Sequence, residues 1–285
     1  MNATAVIGAG MAGLAAANAL AAEGREVRVF DKSRGTGGRL ATRRTDMGHF
    51  DHGAPIAQGA AAFDAALTTF GGAVLRVDDG WRGVPGMSGL VAPLTAGCDI
   101  AGGRRIVAVE GGAGAWTLRD GNGREEGPFA QVAAAIPAPQ LVALLPGLED
   151  RLSRVEMDPC WTLMARRPEG MAPRAPAAPV TRLIEQPGQP GQPGALVAHA
   201  GPGWSREMLE RRKEDVCADL LAALGLEGAP FAVAHRWRYA RTRRALGVPC
   251  LDLGGGLVAG GDWALGPDAG DAWTSGRAMA AALSS

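Results

Sequence analysis

Three glycines, Gly8, Gly10 and Gly13, stand at G-x-G-x-x-G spacing between a short β-prone run (Ala5-Val-Ile) and an alanine-rich run reaching Leu20. That order reads as strand, tight turn and helix. Each glycine has its own physical reason: Gly8 allows the sharp turn, Gly10 lets a pyrophosphate come close to the backbone, and Gly13 lets the helix lie on the strand. The helix start, with Met11 and Ala12, then offers unpaired N–H groups and a positive dipole end to phosphate. A second apolar run, Glu26-Val-Arg-Val-Phe30, ends in Asp31, where a carboxylate binds a ribose hydroxyl pair. The two runs together predict a dinucleotide site on a Rossmann-type unit.

Asp31 is followed by Lys32-Ser-Arg34-Gly35-Thr-Gly37-Gly38-Arg39-Leu-Ala-Thr-Arg43-Arg44, a second glycine-rich loop with flanking arginines. A plain NAD-binding unit has no use for it. In a flavin protein, small residues there permit close approach and arginines neutralise phosphate. The competing assignment gives Lys32, Ser33 and Arg34 to the 2′-phosphate of NADP, which Asp31 would repel. Phe50-Asp-His52-Gly53-Ala54 follows, in which His52 either faces a ring system or is a structural histidine.

Residues 60–80 read as a helix and then turns, and Val84-Pro-Gly-Met-Ser-Gly-Leu90 as the start of another helix. Runs 105–109, 115–119 and 131–136 read as strands, with Asp120-Gly-Asn-Gly123 as the turn between the last two. Residues 167–194, rich in proline, alanine and glycine, read as a mobile surface loop that includes the repeat at 187–194. Residues 207–224 read as one amphipathic helix, with the charged run 210–215 on its solvated face. In His235-Arg-Trp-Arg-Tyr239, period two puts His235, Trp237 and Tyr239 on one face and Arg236 and Arg238 on the other. Either the rings border a flavin or planar substrate and the arginines hold phosphates, or the rings are core and the arginines are ion-paired. Leu257-Val-Ala-Gly-Gly261-Asp262 reads as a strand that brings a carboxylate beside a cofactor hydroxyl. Asp271, followed by Ala272 and Trp273, reads as the cap of a final helix whose start would stabilise negative charge on a reduced ring. Ordinary capping is the alternative for both acids.

Composition sets the outer limits. With 285 residues, 47% hydrophobic, the chain is long enough for one large or two modest cores. Formal net charge is zero and no basic block occurs, which disfavours nucleic acid and membrane surfaces as partners and leaves a small molecule. The apolar run at residues 3–22 lacks a preceding basic residue and contains three glycines, so it suits strand and helix better than an anchor. Cys98, Cys160, Cys217 and Cys250 have no C-x-x-C spacing and read as reduced, mostly buried residues of a cytoplasmic protein; no metal site is expected.

Taken in order, the stretches 8–13, 31–43, 50–54, Val84-Pro-Gly-Met-Ser88, Ala135-Ile-Pro-Ala-Pro-Gln140, Pro159-Cys-Trp161, 235–240 and Gly261-Asp-Trp263 resemble the bacterial renalase-type flavoproteins of the amine oxidase superfamily. The resemblance implies an α/β chain with a Rossmann-type, GR2-like FAD-binding domain assembled from separated segments (1–50, 84–146 and 246–285). Into it is inserted an α+β substrate domain (51–83 and 147–245) built on a mostly antiparallel sheet. It implies non-covalent FAD held by Gly8, Gly10, Met11, Ala12, Gly13, Asp31, Lys32, Arg34, Gly38, Arg39, His52, Gly53, Ala54, Val107, Gly261, Asp262, Asp271, Ala272 and Trp273. It further implies that His235, Trp237, Arg238 and Trp273 serve catalysis, and that dihydropyridine isomers of NAD(P)H are oxidised with O2 as acceptor. The only lysines, Lys32 and Lys213, are poorly placed for the flavin-side lysine usual in amine oxidases. A dihydropyridine needs no such base, because loss of a hydride makes an aromatic pyridinium directly. Another flavin amine oxidase or desaturase, and a flavin-binding protein with little turnover, remain the alternatives.

Overall fold

A computed structural model describes residues 3–167, 170–186 and 194–285. The chain divides into two compact units, residues 1–40, 56–156 and 242–285 in one, and 41–55 and 157–241 in the other.

The first unit is built on a six-stranded sheet. Its order is Leu251–Gly254, Leu257–Ala259, Gln131–Ala134, Thr4–Ile7, Val27–Asp31 and Asp99–Gly102, parallel except at the first pair. Thr4–Ile7 is central and fully enclosed, which is why it is a continuous apolar run. One face is covered by the helices Met11–Ala22 and Ala269–Ser284. These approach so closely that a Cβ on Gly276 would lie 2.2 Å from the Ala12 carbonyl oxygen. The other face packs on a three-stranded antiparallel sheet of Ile106–Glu110, Trp116–Asp120 and Glu125–Phe129. Ile106, Leu118 and Phe129 there meet Ala5, Ile7, Phe30 and Val132.

The second unit centres on a four-stranded sheet in the order Val180–Gln186, Ala195–Ala200, Glu156–Arg166 and Phe231–Arg244. Alternation gives it two distinct faces. Trp161, Leu163, Ala165, Leu196, Ala198 and Ala234 pack on Val216, Leu220 and Leu224 of the helix Lys213–Leu224. Met164, Ala195 and Val197 pack on Phe50, which stacks on Phe231 at 5.3 Å. Phe50 comes from the hairpin Thr42–Thr45/Gly48–Asp51.

Several expectations are corrected. Residues 41–50 belong to the second unit, because Phe50 is part of its core and the Asp51 N–H donates to Gln186 Oε1 (3.1 Å). Residues 56–83 belong to the first: Ala57 and Trp81 exchange backbone hydrogen bonds, the Trp81 indole donates to Asp64, and the Gly270 N–H donates to the Gln58 carbonyl. Residues 147–156 also lie there. Beyond the helix Ala61–Thr68, residues 74–83 form a hairpin, and 84–95 form only short 3-10 turns. The turn at 120–123 leads to the strand Glu125–Phe129, which was not foreseen. Val180–Gln186 is a strand within the supposed loop of 167–194, while 187–193 lie outside the described residues. The helix expected at 207–224 is two, Pro202–Glu207 and Lys213–Leu224. All four cysteines are free and half-buried rather than buried.

Candidate functional site

In the first unit Gly8 and Gly13 do the structural work the sequence predicts for them. Gly8 has φ +109°, and a Cβ there would meet the Ala135 carbonyl oxygen at 2.4 Å; one on Gly13 would meet the Gly8 carbonyl oxygen at 1.8 Å. Both are dictated by the chain's own packing. Gly10 differs, since its φ is −84° and a Cβ there would meet nothing within 4 Å. No side chain caps the helix that Gly10 begins, and no acidic residue lies in its first turn. Met11 and Ala12 are buried at that start.

The second glycine loop closes on this turn. The Gly37 N–H donates to the Ala9 carbonyl (2.8 Å), and Gly38 comes so near that a Cβ would sit 3.3 Å from Gly10 Cα. Asp31 is oriented by two backbone amides, with Ala9 N–H donating to Oδ2 and Ser33 N–H to Oδ1, each at 2.7 Å. The carboxylate is thereby held at the strand end as an acceptor. Lys32, Ser33 and Arg34 are exposed beside it, and Val107 is exposed on its strand.

Arg39 and Asp262 are placed otherwise than expected. Arg39 makes a two-pronged pair with Asp262 (2.7 and 2.5 Å), and Asp262 Oδ2 also accepts from the Thr242 hydroxyl (2.7 Å). Asp262 is buried, so both of its oxygens serve internal partners, and Arg39 is bound to a carboxylate rather than reserved for phosphate. Gly261 donates its N–H to Ser275 Oγ. The cap of the last helix is Asp268; Asp271 stands at its third position and closes a capping box by accepting from the Asp268 N–H (3.0 Å). Burial, together with the charges of Asp268 and Asp262, raises the Asp271 carboxyl above its ordinary range despite that bond. Ala272 is buried, and Trp273 is half-buried against Phe63 at 6.0 Å.

In the second unit, His52 is 6% exposed, its ring edge-on to His235 (4.9 Å) and tilted against Trp237 (5.0 Å). His235 and Trp237 lie 4.5 Å apart, and the Trp237 indole donates to the His52 carbonyl (2.9 Å). Gly53 and Ala54 follow, half-buried. Burial, then the Arg43 charge and His199, push the His52 pKa down to about 4, against hydrogen bonds to the Phe50 and Ala41 backbone. Burial and the Arg182 charge bring His199 to about 4 as well. The result is a wall of three rings with His52 uncharged at neutral pH.

Arg236 and Arg238 point away from it, as period two requires. Glu210 binds both: Arg238 donates through both terminal nitrogens, at 2.5 and 3.2 Å, and Arg236 at 3.1 Å. Arg236 also lies over Trp161, on the helix-covered face. Of the two readings left open, the arginines follow the ion-paired one. Glu210 therefore sits in the break between two helices and is more than part of a solvated face. Sequence reasoning missed His199, whose signal was a lone imidazole in the apolar strand Ala195–Ala200. Among the described residues, no three His, Cys, Asp or Glu are grouped to hold a metal ion, and no helix is long and apolar enough to cross a membrane.

Sheet order, glycine turn and Asp31 together define a Rossmann-like α/β fold. The NAD(P)-binding Rossmann-like domain family matches residues 6–70. A stretch of 52 residues is 48% identical to the 4,4'-diapophytoene desaturases (4,4'-diaponeurosporene-forming) of Staphylococcus haemolyticus (strain JCSC1435) and Staphylococcus aureus (strain Newman). It spans 18% of this chain and only 10% of either desaturase. The whole chain is similar in fold to a provisionally named protoporphyrinogen oxidase of Exiguobacterium sp. 255-15, with a TM-score of 0.71, 13% identity, and coverage of 99% and 98% of the two chains.

Proposed function

We propose that this protein is an FAD-dependent oxidoreductase that oxidises a reduced nicotinamide isomer or a related small molecule, with O2 as acceptor, in the cytoplasm. The observation that carries the reading is Gly10. Its lack of a side chain serves neither backbone conformation nor internal packing, which leaves close approach by a ligand as the reason for it. The residues fit a dinucleotide: Gly8 to Gly13 would take the pyrophosphate on the uncapped helix start, and Asp31 a ribose hydroxyl pair. The second glycine loop favours FAD over NADP, as does the negative charge that Asp31 would present to a 2′-phosphate. Bound FAD supplies a two-electron acceptor ring. The contribution expected of His52, His235 and Trp237 is orientation of a planar substrate by a wall in which no lysine offers a base.

The test is the visible spectrum of the purified protein before and after anaerobic addition of borohydride-generated dihydro-NAD(P) isomers. A yellow protein that bleaches supports the reading. One that stays yellow with the isomers but bleaches with an amine or a polyene moves it to the amine oxidase or desaturase alternative. A colourless protein that FAD cannot reconstitute refutes the cofactor.

A further inference from the structure

In the first unit, the loop that backs the end of the Asp31 strand is anchored by one side chain. Asp31 pairs in register with Gly102. Just beyond that pair, the Gly103 N–H donates to the Ser33 carbonyl (2.9 Å) and the Arg104 N–H to the Asp31 carbonyl (2.7 Å). Ser33 in turn orients the Asp31 carboxylate through its own N–H. The backbone lies so close here that a Cβ on Gly102 would meet the Arg34 carbonyl oxygen at 2.8 Å. Two consecutive glycines do not fix such a contact by themselves, since glycine loses more freedom on ordering than any other residue. Arg104 holds them. Its side chain keeps only 12% of its surface in water, and it donates through Nε to Asp120 Oδ2 (2.5 Å) and through Nη1 to Glu126 Oε1 (2.9 Å). Both acceptors are fixed in their turn: Asp120 Oδ1 takes the N–H groups of Asn122 and Arg124, and Glu126 also binds Arg28 and Arg124. The neighbouring Arg105 is exposed. A buried ion network is a weak source of stability, because well-packed apolar residues often serve as well.

We propose that what this network supplies is geometry: Arg104 is the positioning residue of the Asp31 carboxylate, and through it sets how strongly the site selects a nucleotide that carries its ribose hydroxyls. The inference rests on the dinucleotide reading above and adds to it a residue that does not touch the nucleotide. With Arg104 released, Gly102 and Gly103 no longer hold the Ser33 carbonyl, and the carboxylate loses the aim of one of its two backbone amides. The strand Val27–Asp31 itself stays in place, because Thr4–Ile7 and Asp99–Gly102 pair with it on either side. The loss therefore falls on the direction of a charge-assisted hydrogen bond, which weakens steeply when misaligned, and not on the fold. The glycine turn, which would take the pyrophosphate, is not part of this network.

Calorimetric titration of the full-length protein, stripped of nucleotide, with ADP and with 2′-deoxy-ADP tests this. The wild type is expected to bind ADP about tenfold or more tightly, as for one hydrogen bond to a charged group. Arg104→Met is expected to erase most of that preference while leaving 2′-deoxy-ADP affinity unchanged, which also shows that the phosphate end is still folded. Asp120→Asn is a milder second variant: it keeps the Oδ1 acceptor of the 120–124 turn but removes the charge that holds Arg104 Nε, and should reduce the preference in part. In Asp31→Ala the preference is already gone, so adding Arg104→Met should change nothing further. Arg119→Gln, which frees only the exposed Glu110 on the same small sheet, should leave the preference intact. The inference is overturned if Arg104→Met and Asp120→Asn keep the wild-type preference, or if the two nucleotides weaken together, as they would from lost structure alone. Failure of the dinucleotide reading is distinct: the wild type then binds neither nucleotide, or binds both equally whether or not Asp31 is present, and the inference falls with it.

Discussion

Replacing Asp262 with alanine removes the acceptor for three hydrogen bonds at once. Arg39 donates two of them, at 2.7 and 2.5 Å, and Thr242 the third at 2.7 Å. Breaking a buried pair by deleting one partner costs about 3–5 kcal/mol, because the remaining charge is stranded. Arg39 keeps 28% of its side-chain surface in water, so the lower end applies, about 3 kcal/mol. The Thr242 hydroxyl, 3% exposed, loses its acceptor for about 1 kcal/mol more. At about 2–4 °C per kcal/mol for a chain of this size, the melting temperature should fall by about 8–16 °C. Scanning calorimetry measures it. A paired replacement, Arg39→Met with Asp262→Leu, should recover much of the loss, since no charge is left behind. The reasoning is refuted if Asp262→Ala melts within about 2 °C of wild type. If it instead loses only cofactor affinity, Asp262 is a cofactor ligand, as the sequence expectation had it, and not the anchor of Arg39.

Gly10→Ala should leave the melting temperature of the cofactor-free protein unchanged yet abolish dinucleotide uptake, seen as loss of the yellow chromophore. Gly13→Ala, whose Cβ would lie 1.8 Å from the Gly8 carbonyl oxygen, should destabilise by about 1–3 kcal/mol or more in urea unfolding. His52, held near 4 when folded and near 6.5 when unfolded, binds more protons in the unfolded state between those values. Its neutral burial thus contributes in full above about pH 6.5, and that contribution is lost as the pH falls toward 4. Urea midpoints at pH 7.5 and 5 should differ more in wild type than in His52→Gln, and equal differences would discount the histidine.

What was legible in the sequence was whatever local spacing controls. The glycine turn, the acid at the end of the second strand and the two-sided pattern of His235 to Tyr239 depend on neighbours within a few residues. What was not legible depends on partners far along the chain. Arg39 meets Asp262 across 223 positions, and nothing near either residue announces the other. Glu125–Phe129 contains Glu-Glu-Gly-Pro, a poor strand by propensity, and is a strand because Trp116–Asp120 pairs with it. Asp268 and Asp271 both suit a helix start, and only the reciprocal box decides which is the cap.

The helix that begins at Gly10 leans on a helix that ends at Ser284, and the strand next to Gln131–Ala134 in the sheet is Leu257–Ala259. During synthesis the glycine turn therefore leaves the ribosome well before the helix that covers it. Until residues near 284 emerge, Gln131–Ala134 has an unpaired edge and the alanine-rich helix an uncovered flank. Uptake of a dinucleotide is in this sense a report that the helix Ala269–Ser284 has been made. Nascent chains stalled near residue 245 should take up no cofactor, although every residue of the glycine turn has already been made.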